Sequence, residues 1–157
     1  MEELLKELEE AKAKIAEIEK KIEEKKSRRW KPKVMERYYY INIEGKVIET
    51  SRWNDGEFEE KMYNLGNCFR TKEEAEFIAE KLKVITKLKE FAEPEDAVWD
   101  GNEPHYYIGW NCLTCEISIY SSFTIKQNEI YFASKDDWTK AIKAVGKDRI
   151  RKYYLGM

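Results

Sequence analysis

The sequence predicts an α+β fold in which an N-terminal coiled-coil helix precedes two β-β-β-α repeats with antiparallel sheet. Three observations carry this prediction. The first residues have a heptad apolar pattern, the later residues contain aromatic and β-branched runs bounded by turn signals, and one strand-to-helix joint occurs twice, 63 positions apart. The predicted units are residues 1–29 for the coiled-coil helix, 30–93 for the first repeat and 94–157 for the second.

Residues 1–26 have apolar side chains at alternating steps of four and three. This period of about 3.5 residues is typical of the seam of a left-handed coiled coil. The apolar stripe is only two positions wide, narrower than the face of a helix that packs on its own domain. Self-association as a homodimer is therefore favoured over the alternative, an amphipathic helix lying on its own chain. The expected seam consists of Leu4, Leu8, Ala11, Ile15, Ile18 and Ile22.

A basic hinge, "KKSRRWKPK" at residues 25–33, follows the helix. Pro32 disfavours the helical conformation at the residue before it, so the helix is expected to end here. The basic side chains could neutralise phosphates, and the one aromatic side chain could stack on a base. The candidate contact residues in the hinge are Arg28, Arg29, Trp30, Lys31 and Lys33.

The first repeat opens with "RYYYINIEGKVIET", which predicts a hairpin around Glu44 and Gly45. The polar stretch "SRWNDGEFEEKMYN" is expected to form a loop. A short strand at Asn67–Phe69 leads into a helix from Lys72 to about Ala92. The expected buried stripe of this helix is Ala75, Ile78, Ala79, Leu82, Ile85 and Leu88.

The second repeat follows a polar linker, "EPEDAVWDGNEP", and His105 is interpreted as part of this surface loop. The runs "HYYIGW", "EISIYSSF" and "EIYFA" predict three strands, and a helix is expected over Lys135–Val145. Gly146 is expected to end that helix. The segment "KDRIRKYYL" continues as a last helix or turn.

The two joints match for reasons of folding. Thr71 and Ser134 are predicted N-cap residues, whose hydroxyl groups accept from the backbone N–H three residues on. Glu74 and Asp137 occupy that third position, where an acid favours the helix start. Phe69 and Phe132 are expected to face the core. The match therefore indicates architecture rather than a duplicated active site.

The spacing of Cys112 and Cys115, C-x-x-C, admits two functional interpretations. One is a zinc site completed by Cys68 and His105. The other is thiol–disulfide exchange, which normally needs the first cysteine at a helix start. Because the motif lies between two predicted strands, a hairpin loop with cysteines as small apolar residues is favoured. With no glycine-rich phosphate loop either, we predict no catalytic residues, no metal ligands and no cofactor.

Composition limits which partners and which cellular compartment are expected. The formal net charge of -2 does not steer the whole chain toward nucleic acid or an anionic membrane. No apolar run approaches the ~18 residues of a membrane span. The N-terminus lacks a secretory signal, and three cysteines do not suit a disulfide framework. A cytoplasmic protein without a membrane partner is expected.

Three segments of the chain resemble a family of small proteins carried by phages and prophages of Firmicutes. They are "RRWKPKVMERYYYINIEGKVIE", "YNLGNCFRTKEEAEFIAEKLKVITKLKEFA" and "IYFASKDDWTKAIKAVGKDRIRKYY". The resemblance covers nearly the whole chain. It implies an accessory protein, and such proteins without enzymatic motifs often bind and disable a host component, including CRISPR–Cas effectors.

The function expected from this resemblance is inhibition of a bacterial defence protein, with a CRISPR–Cas nuclease as the leading example, by direct contact and without catalysis. Acidic helix faces could oppose a basic nucleic-acid channel in such a partner. The alternative is a nucleic-acid-binding accessory protein that uses the basic hinge and exposed aromatic residues. The acidic candidate contacts are Glu73, Glu76, Glu80, Asp136 and Asp137.

Overall fold

The computed structural model describes residues 9–19, 21, 29–50 and 52–157. These residues form helices and two antiparallel sheets, so the α+β class is confirmed. The elements, in chain order, are α1 (residues 9–19), β1 (Tyr38–Ile41), β2 (Val47–Thr50), α2 (Glu57–Asn64), α3 (Lys72–Lys89), β3 (His105–Asn111), β4 (Glu116–Ser122), β5 (Tyr131–Phe132), α4 (Lys135–Val145), α5 (Lys147–Arg149) and a π-helix (Ile150–Tyr154).

The first hairpin, β1–β2, forms as predicted around a turn that Asn42 organises. The Asn42 Oδ1 accepts the backbone N–H groups of Glu44 and Lys46 at 3.0 and 2.9 Å, an arrangement that asparagine favours in turns. Below the hairpin, Tyr38 and Trp53 are buried and meet edge to face, with ring centroids 5.4 Å apart. This aromatic pair anchors the hairpin to the polypeptide that follows it.

The segment predicted as a polar loop contains the helix α2, which corrects the sequence-based expectation. No side chain caps its start, so the usual N-terminal signal is absent. The negative charges of three glutamates in its first turn interact favourably with the positive end of the helix dipole. Lys61 also pairs with Glu57 one turn away at 2.6 Å. Phe58 packs edge to face on Tyr40 of β1, with centroids 5.9 Å apart. Tertiary contact therefore stabilises a helix that the polar sequence of this segment does not predict.

The segment "GNCF" after α2 joins this helix to the first sheet. Gly66 has φ +78°, and its N–H and that of Asn67 donate to the carbonyls of Tyr63 and Met62, both at 2.9 Å. This is the Schellman pattern of helix termination. Asn67 then uses its side-chain amide to bond both the N–H and the carbonyl of Ile41 at 2.8 and 2.7 Å.

Phe69 pairs with Tyr39 through two backbone hydrogen bonds of 2.9 Å, an isolated antiparallel bridge in place of the predicted short strand. Next, Thr71 caps α3 by accepting from the Glu74 N–H at 3.2 Å. The Glu74 carboxylate accepts from the N–H of Arg70, one residue before the position expected for a capping box.

Helix α3 packs on both halves of the molecule. Ala75 and Ala79 are buried on the side of the first hairpin, whereas Val84 and Leu88 belong to the main hydrophobic core. The predicted stripe is wrong at Leu82, which is 54% exposed, because the helix turns its buried face toward the second half after Ala79. Val84 takes the buried position instead.

The second sheet has the strand order β4-β3-β5, with all pairs antiparallel. Ile108 and Ile117 of the hairpin, with Phe132 of β5, face the helices and are nearly inaccessible to water. Ser134 caps α4 by accepting the Asp137 N–H at 3.1 Å. The chain then runs through Gly146, at φ +91°, into α5 and the π-helix, which contributes the buried Ile150. The helices thus cover one face of this sheet.

Candidate functional site: an aromatic sheet face

The face of the second sheet that points away from the helices carries aromatic side chains. Side chains alternate across a strand, so Tyr107 and Gly109 lie opposite the face of Ile108. The register places Tyr107 beside Tyr120 of β4 and Tyr131 of β5. We call the surface formed by Trp99, Tyr107, Gly109, Tyr120 and Tyr131 the aromatic face. Solvated faces of antiparallel sheets are usually polar, so this composition marks a surface of interest.

Four rings of the aromatic face form a continuous row. The Trp99 and Tyr131 centroids are 4.7 Å apart, Tyr131 and Tyr107 are 5.8 Å apart, and Tyr107 and Tyr120 are 5.7 Å apart. Trp99, at one end of the row, is half-buried, Tyr131 beside it is 8% exposed, and Tyr120, at the other end, is 37% exposed. The end at Trp99 and Tyr131 is therefore the buried end, and its packing holds the accessible end in a fixed orientation.

Gly109 allows the ring of Tyr120 to lie flat on the sheet. A Cβ at position 109 would lie 2.5 Å from two ring carbons of Tyr120, a distance that real Cβ atoms do not show. The Tyr120 hydroxyl donates to the carbonyl of Trp110 at 3.4 Å. With one ring face on Gly109, the outward part of Tyr120 is left for contact.

Lys126 borders the row. Its ammonium group lies 4.6 Å from the Tyr107 centroid and donates to the Tyr107 hydroxyl at 2.8 Å. This hydrogen bond raises the pKa of Lys126 above its ordinary value. The backbone N–H of Lys126 donates to the Tyr131 hydroxyl at 2.8 Å, which fixes the loop against the face. The row thus has one permanent cation at its margin.

His105 supports the buried end of the aromatic face, contrary to its interpretation as a surface-loop residue. It begins β3, and its Nδ1–H donates to the Glu93 carboxylate oxygens at 2.7 and 2.8 Å. The two side chains are 11% and 6% exposed. Trp99 stacks on the His105 ring at 3.5 Å between centroids. Glu93 lies 12 residues away in the chain, which is why no local motif revealed the pair.

Sequence reasoning missed the aromatic face, although one signal for it was present. Of the 22 residues from 104 to 125, only Glu116 is Asp, Glu, Lys or Arg, in a chain that is 38% charged. Depletion of charge together with enrichment of aromatic residues is typical of the centre of a protein–protein interface. The charge-poor segment therefore indicates a contact surface, which the 38% charged composition of the whole chain does not reveal.

The structure brings Glu73, Glu76 and Glu80 together along one side of an open groove of about 890 Å³. We call it the hairpin groove, because it lies between the β1–β2 turn, α3 and the π-helix. Lys72 pairs with Glu76 at 3.4 Å, while Lys83 and Arg149 pair with Glu80 at 2.7 and 2.9 Å. These bases offset much of the predicted acidic character. The groove lining consists of Gly45, Lys46, Val47, Lys72, Glu73, Glu76, Phe77, Ala79, Glu80, Lys83, Lys152 and Tyr153.

Asp136 and Asp137 lie in the first turn of α4 and both approach Lys140, at 2.6 and 3.8 Å. Asp137 also accepts the hydroxyl of the cap residue Ser134 at 2.7 Å. These contacts serve the helix start, which leaves Asp136, with its side chain 73% exposed, as the more accessible acid of the two.

The basic hinge is divided by the structure. Arg28 lies outside the described residues. The Arg29 guanidinium lies 3.7 Å above the Tyr63 ring and donates to the Tyr63 carbonyl, and Lys31 pairs with Glu60 at 2.5 Å. Trp30 is half-buried, and Lys33 is exposed. Arg29 and Lys31 thus contact α2, which leaves their positive charges less available to neutralise a phosphate backbone.

The predicted coiled-coil seam is described only in part, because Leu4, Leu8 and Ile22 lie outside the described residues. Ala11, Ile15 and Ile18 lie on α1, and all three are exposed. Ile15 and Ile18 each have 56% of their surface accessible. In the part of the chain that the structure describes, these isoleucines are not buried in a core, and packing of an apolar face is what usually stabilises a helix.

Cys112 and Cys115 lie in the exposed turn between β3 and β4, with Cys115 at φ +54°. They do not begin a helix, so the dipole that would activate a redox thiolate is absent there. Within the ranges that the structure describes, no group of three or more His, Cys, Asp or Glu side chains is placed to hold a metal ion.

Two further findings concern the whole chain. No helix among the described residues has both the length and the apolar character to cross a membrane. Comparison with protein families, with curated proteins and with solved structures finds no match for this chain. The resemblance to a phage and prophage family therefore stays an expectation from the sequence motifs.

Proposed function

We propose that this protein is a non-enzymatic binding protein that docks on a protein partner through the aromatic face. The observation that carries the proposal is the row from Trp99 to Tyr120, two of whose rings, Tyr107 and Tyr120, belong to a hairpin almost free of charge. Tyrosine and tryptophan supply large contact areas at small loss of side-chain entropy. A row that is already fixed loses still less on binding.

The chemistry of the face favours a protein over a polyanion. Lys126 is the cation that contacts the row, and Glu116 lies on the same hairpin. A nucleic-acid site would need several cations along the path of the backbone. Ser118 and Ser122 share the outer side of β4 with Tyr120. A tyrosine and serine surface of this kind is typical of engineered and natural protein-binding loops.

The partner class that we propose is a bacterial defence protein, with a CRISPR–Cas nuclease as the leading example, which the chain would inhibit by contact. The phage-family resemblance motivates this class. Glu73, Glu76 and Asp136 are the predicted acids that could meet a basic surface of the partner, since Glu80 is held by two bases and Asp137 by its cap.

Nucleic-acid binding through the basic hinge is the alternative function. It has less support, because Arg29 and Lys31 already contact α2. If the hinge binds DNA or RNA, affinity should fall steeply as salt is added.

We also propose that the exposed stripe on α1 pairs with a second copy as a coiled coil, which would cover Ile15 and Ile18. The two halves from residue 30 onward are further proposed to be β-β-β-α repeats, with α2 inserted in the first repeat and the third strand of that repeat reduced to the bridge at Phe69. In both, the segment before the long helix bonds to the first strand of the hairpin: Phe69 to Tyr39, and Phe132 to Tyr106.

The experiment is capture of partners from a bacterial lysate with three immobilised proteins: the wild type, Tyr120→Ser, and Ile43→Ser as a matched control. Ile43 is fully exposed on the other hairpin. The proposal expects one partner to be retained by the wild type and by Ile43→Ser and lost from Tyr120→Ser. Equal retention by all three proteins would contradict the assignment to the aromatic face.

A further inference from the structure

We infer that β4 is an interface between two copies of this chain, which join edge to edge into one continuous sheet. The interface uses the backbone edge of β4, whereas the proposed function uses the outward rings of the aromatic face and the proposed α1 seam uses another element, so the inference goes beyond the proposed function. Tyr120 lies on β4 and is the residue that the edge and the aromatic face share. It rests on the free edge of β4 and on the self-complementarity of its residues.

The strand β4 has seven residues and pairs with β3 on one side only. In the part of the chain that the structure describes, no other strand or backbone group bonds to its outer side. The other edges are smaller or covered. The strand β2 has four residues, and β5 has two and receives the Glu93 N–H on its outer side at 2.8 Å. The one long edge is therefore β4.

Natural proteins protect exposed edges with lysine, proline, bulges or short strands. The sequence of β4, "EISIYSS", contains no lysine and no proline. Its register against β3 runs without interruption over seven pairs, so it has no bulge. The one charge, Glu116, lies at its end. An edge of this length without protection favours pairing with another strand.

The hydrogen-bonding direction along β4 follows from the turn. The structure describes every residue of that turn, and no backbone hydrogen bond joins Cys112 to Cys115 there. Hydrogen-bonded and non-hydrogen-bonded pairs alternate along an antiparallel ladder, so a non-bonded pair at Asn111 and Glu116 would be followed by a bonded pair at Cys112 and Cys115. Because that bond is absent, Asn111 and Glu116 form a hydrogen-bonded pair. Every second residue of β4 from Glu116 onward therefore bonds to β3. The outward residues are Ile117, Ile119 and Ser121.

The partner that fits this edge is a second copy. A two-fold axis through Ile119 overlaps all seven residues and places outward residues opposite outward residues, as antiparallel pairing requires. Ile117 then faces Ser121 of the second copy, and Glu116 faces its Ser122, so no like charges meet. Ile119 faces its own counterpart on the core side. The result is a six-stranded sheet with a doubled aromatic face.

Sedimentation of full-length variants tests the interface. The background is Ile15→Asp with Ile18→Asp, which removes any contribution from the α1 seam. This protein is expected to remain a dimer. Adding Ser121→Pro, which deletes one outward N–H but no bond to β3, is expected to give a monomer. Adding Ser121→Ala, the matched control, is expected to leave the dimer. A monomeric background, or a dimer that persists with Ser121→Pro, would overturn the inference.

Hydrogen exchange on the wild type tests the β4 interface even if the proline variant does not fold. The amides of Ser118 and Tyr120 bond to β3 and serve as internal references. Protection of the Ile117, Ile119 and Ser121 amides to a similar degree is expected. Exchange of those three amides at the rate of a free edge would overturn the inference.

Discussion

At the scale of single residues, the candidate site depends on a glycine. Gly109 has no Cβ, and the ring of Tyr120 occupies the space where one would lie. Glycine in a strand is otherwise unfavourable. The contact therefore accounts for a residue that β-propensity alone would not select, and it links the backbone of β3 to the accessible end of the aromatic row.

Gly109→Ala should destabilise the protein by about 1–3 kcal/mol, because the added methyl group displaces the Tyr120 ring. The measurement is the free energy of unfolding in denaturant. In a Tyr120→Ser background the same change should be neutral or stabilising, since alanine in a strand is favoured over glycine by roughly 0.5–1 kcal/mol. An equal loss in both backgrounds would show that the ring contact is not the cause.

Cys68 should react with iodoacetamide more slowly than Cys112 and Cys115. Burial raises the pKa of the Cys68 thiol to about 11, whereas Cys112 and Cys115 are exposed. At pH 8 the reactive thiolate of Cys68 is then on the order of one molecule in a thousand. Mass spectrometry of a time course should show two early labels and a third that appears much later, and denaturation should speed up that third label. Labelling of Cys68 as early as the other two cysteines would contradict its raised pKa.

The residue scale also shows what a sequence can predict. Thr71 and Ser134 were predicted as caps, and both accept the expected N–H, because a cap depends on neighbours three positions away. His105 was misplaced in a surface loop, because its partners Glu93 and Trp99 come from separate segments that only the folded chain brings together.

At the scale of elements, the motif "GNCF" has an architectural role. Gly66 ends α2, Asn67 satisfies both backbone groups of Ile41, and Phe69 bridges to β1. The sequence predicts this motif only as a short strand before a helix. The helix that it terminates was not predicted, because α2 has no side-chain cap and depends on contacts with Tyr40 and with the basic hinge.

Gly66→Ala should lower the free energy of unfolding by about 1 kcal/mol, because a residue with a Cβ is strained at φ +78°. Among the described residues no atom lies within 4 Å of the added Cβ, so the expected loss comes from the backbone conformation. Gly66→Asn is the control and should lose less, since asparagine tolerates this region better. Thermal unfolding of the three proteins checks the order. Equal losses for alanine and asparagine would argue against the proposed origin.

At the scale of the whole molecule, α3 links the two halves by giving its early alanines to one and Val84 and Leu88 to the other. The sequence predicted the α+β class and most strand and helix positions, since these follow from local periodicity. It did not predict the aromatic face, which requires the register of β3 against both β4 and β5. It also overstated the acidic surface, because Lys72 pairs with Glu76 and Lys83 with Glu80 on the same helix, and folding brings Arg149 to Glu80 as well.

The central claim, that the aromatic face binds a protein partner, is tested most directly by the dissociation constant of the captured partner. The proteins to compare are the wild type, Tyr120→Ser and Tyr120→Phe, each first shown to be folded. Loss of an interface hot spot costs at least about 2 kcal/mol, so Tyr120→Ser should weaken binding by roughly 30-fold or more. Tyr120→Phe, which keeps the ring on Gly109, should stay close to the wild type. Unchanged affinity in Tyr120→Ser would contradict the account.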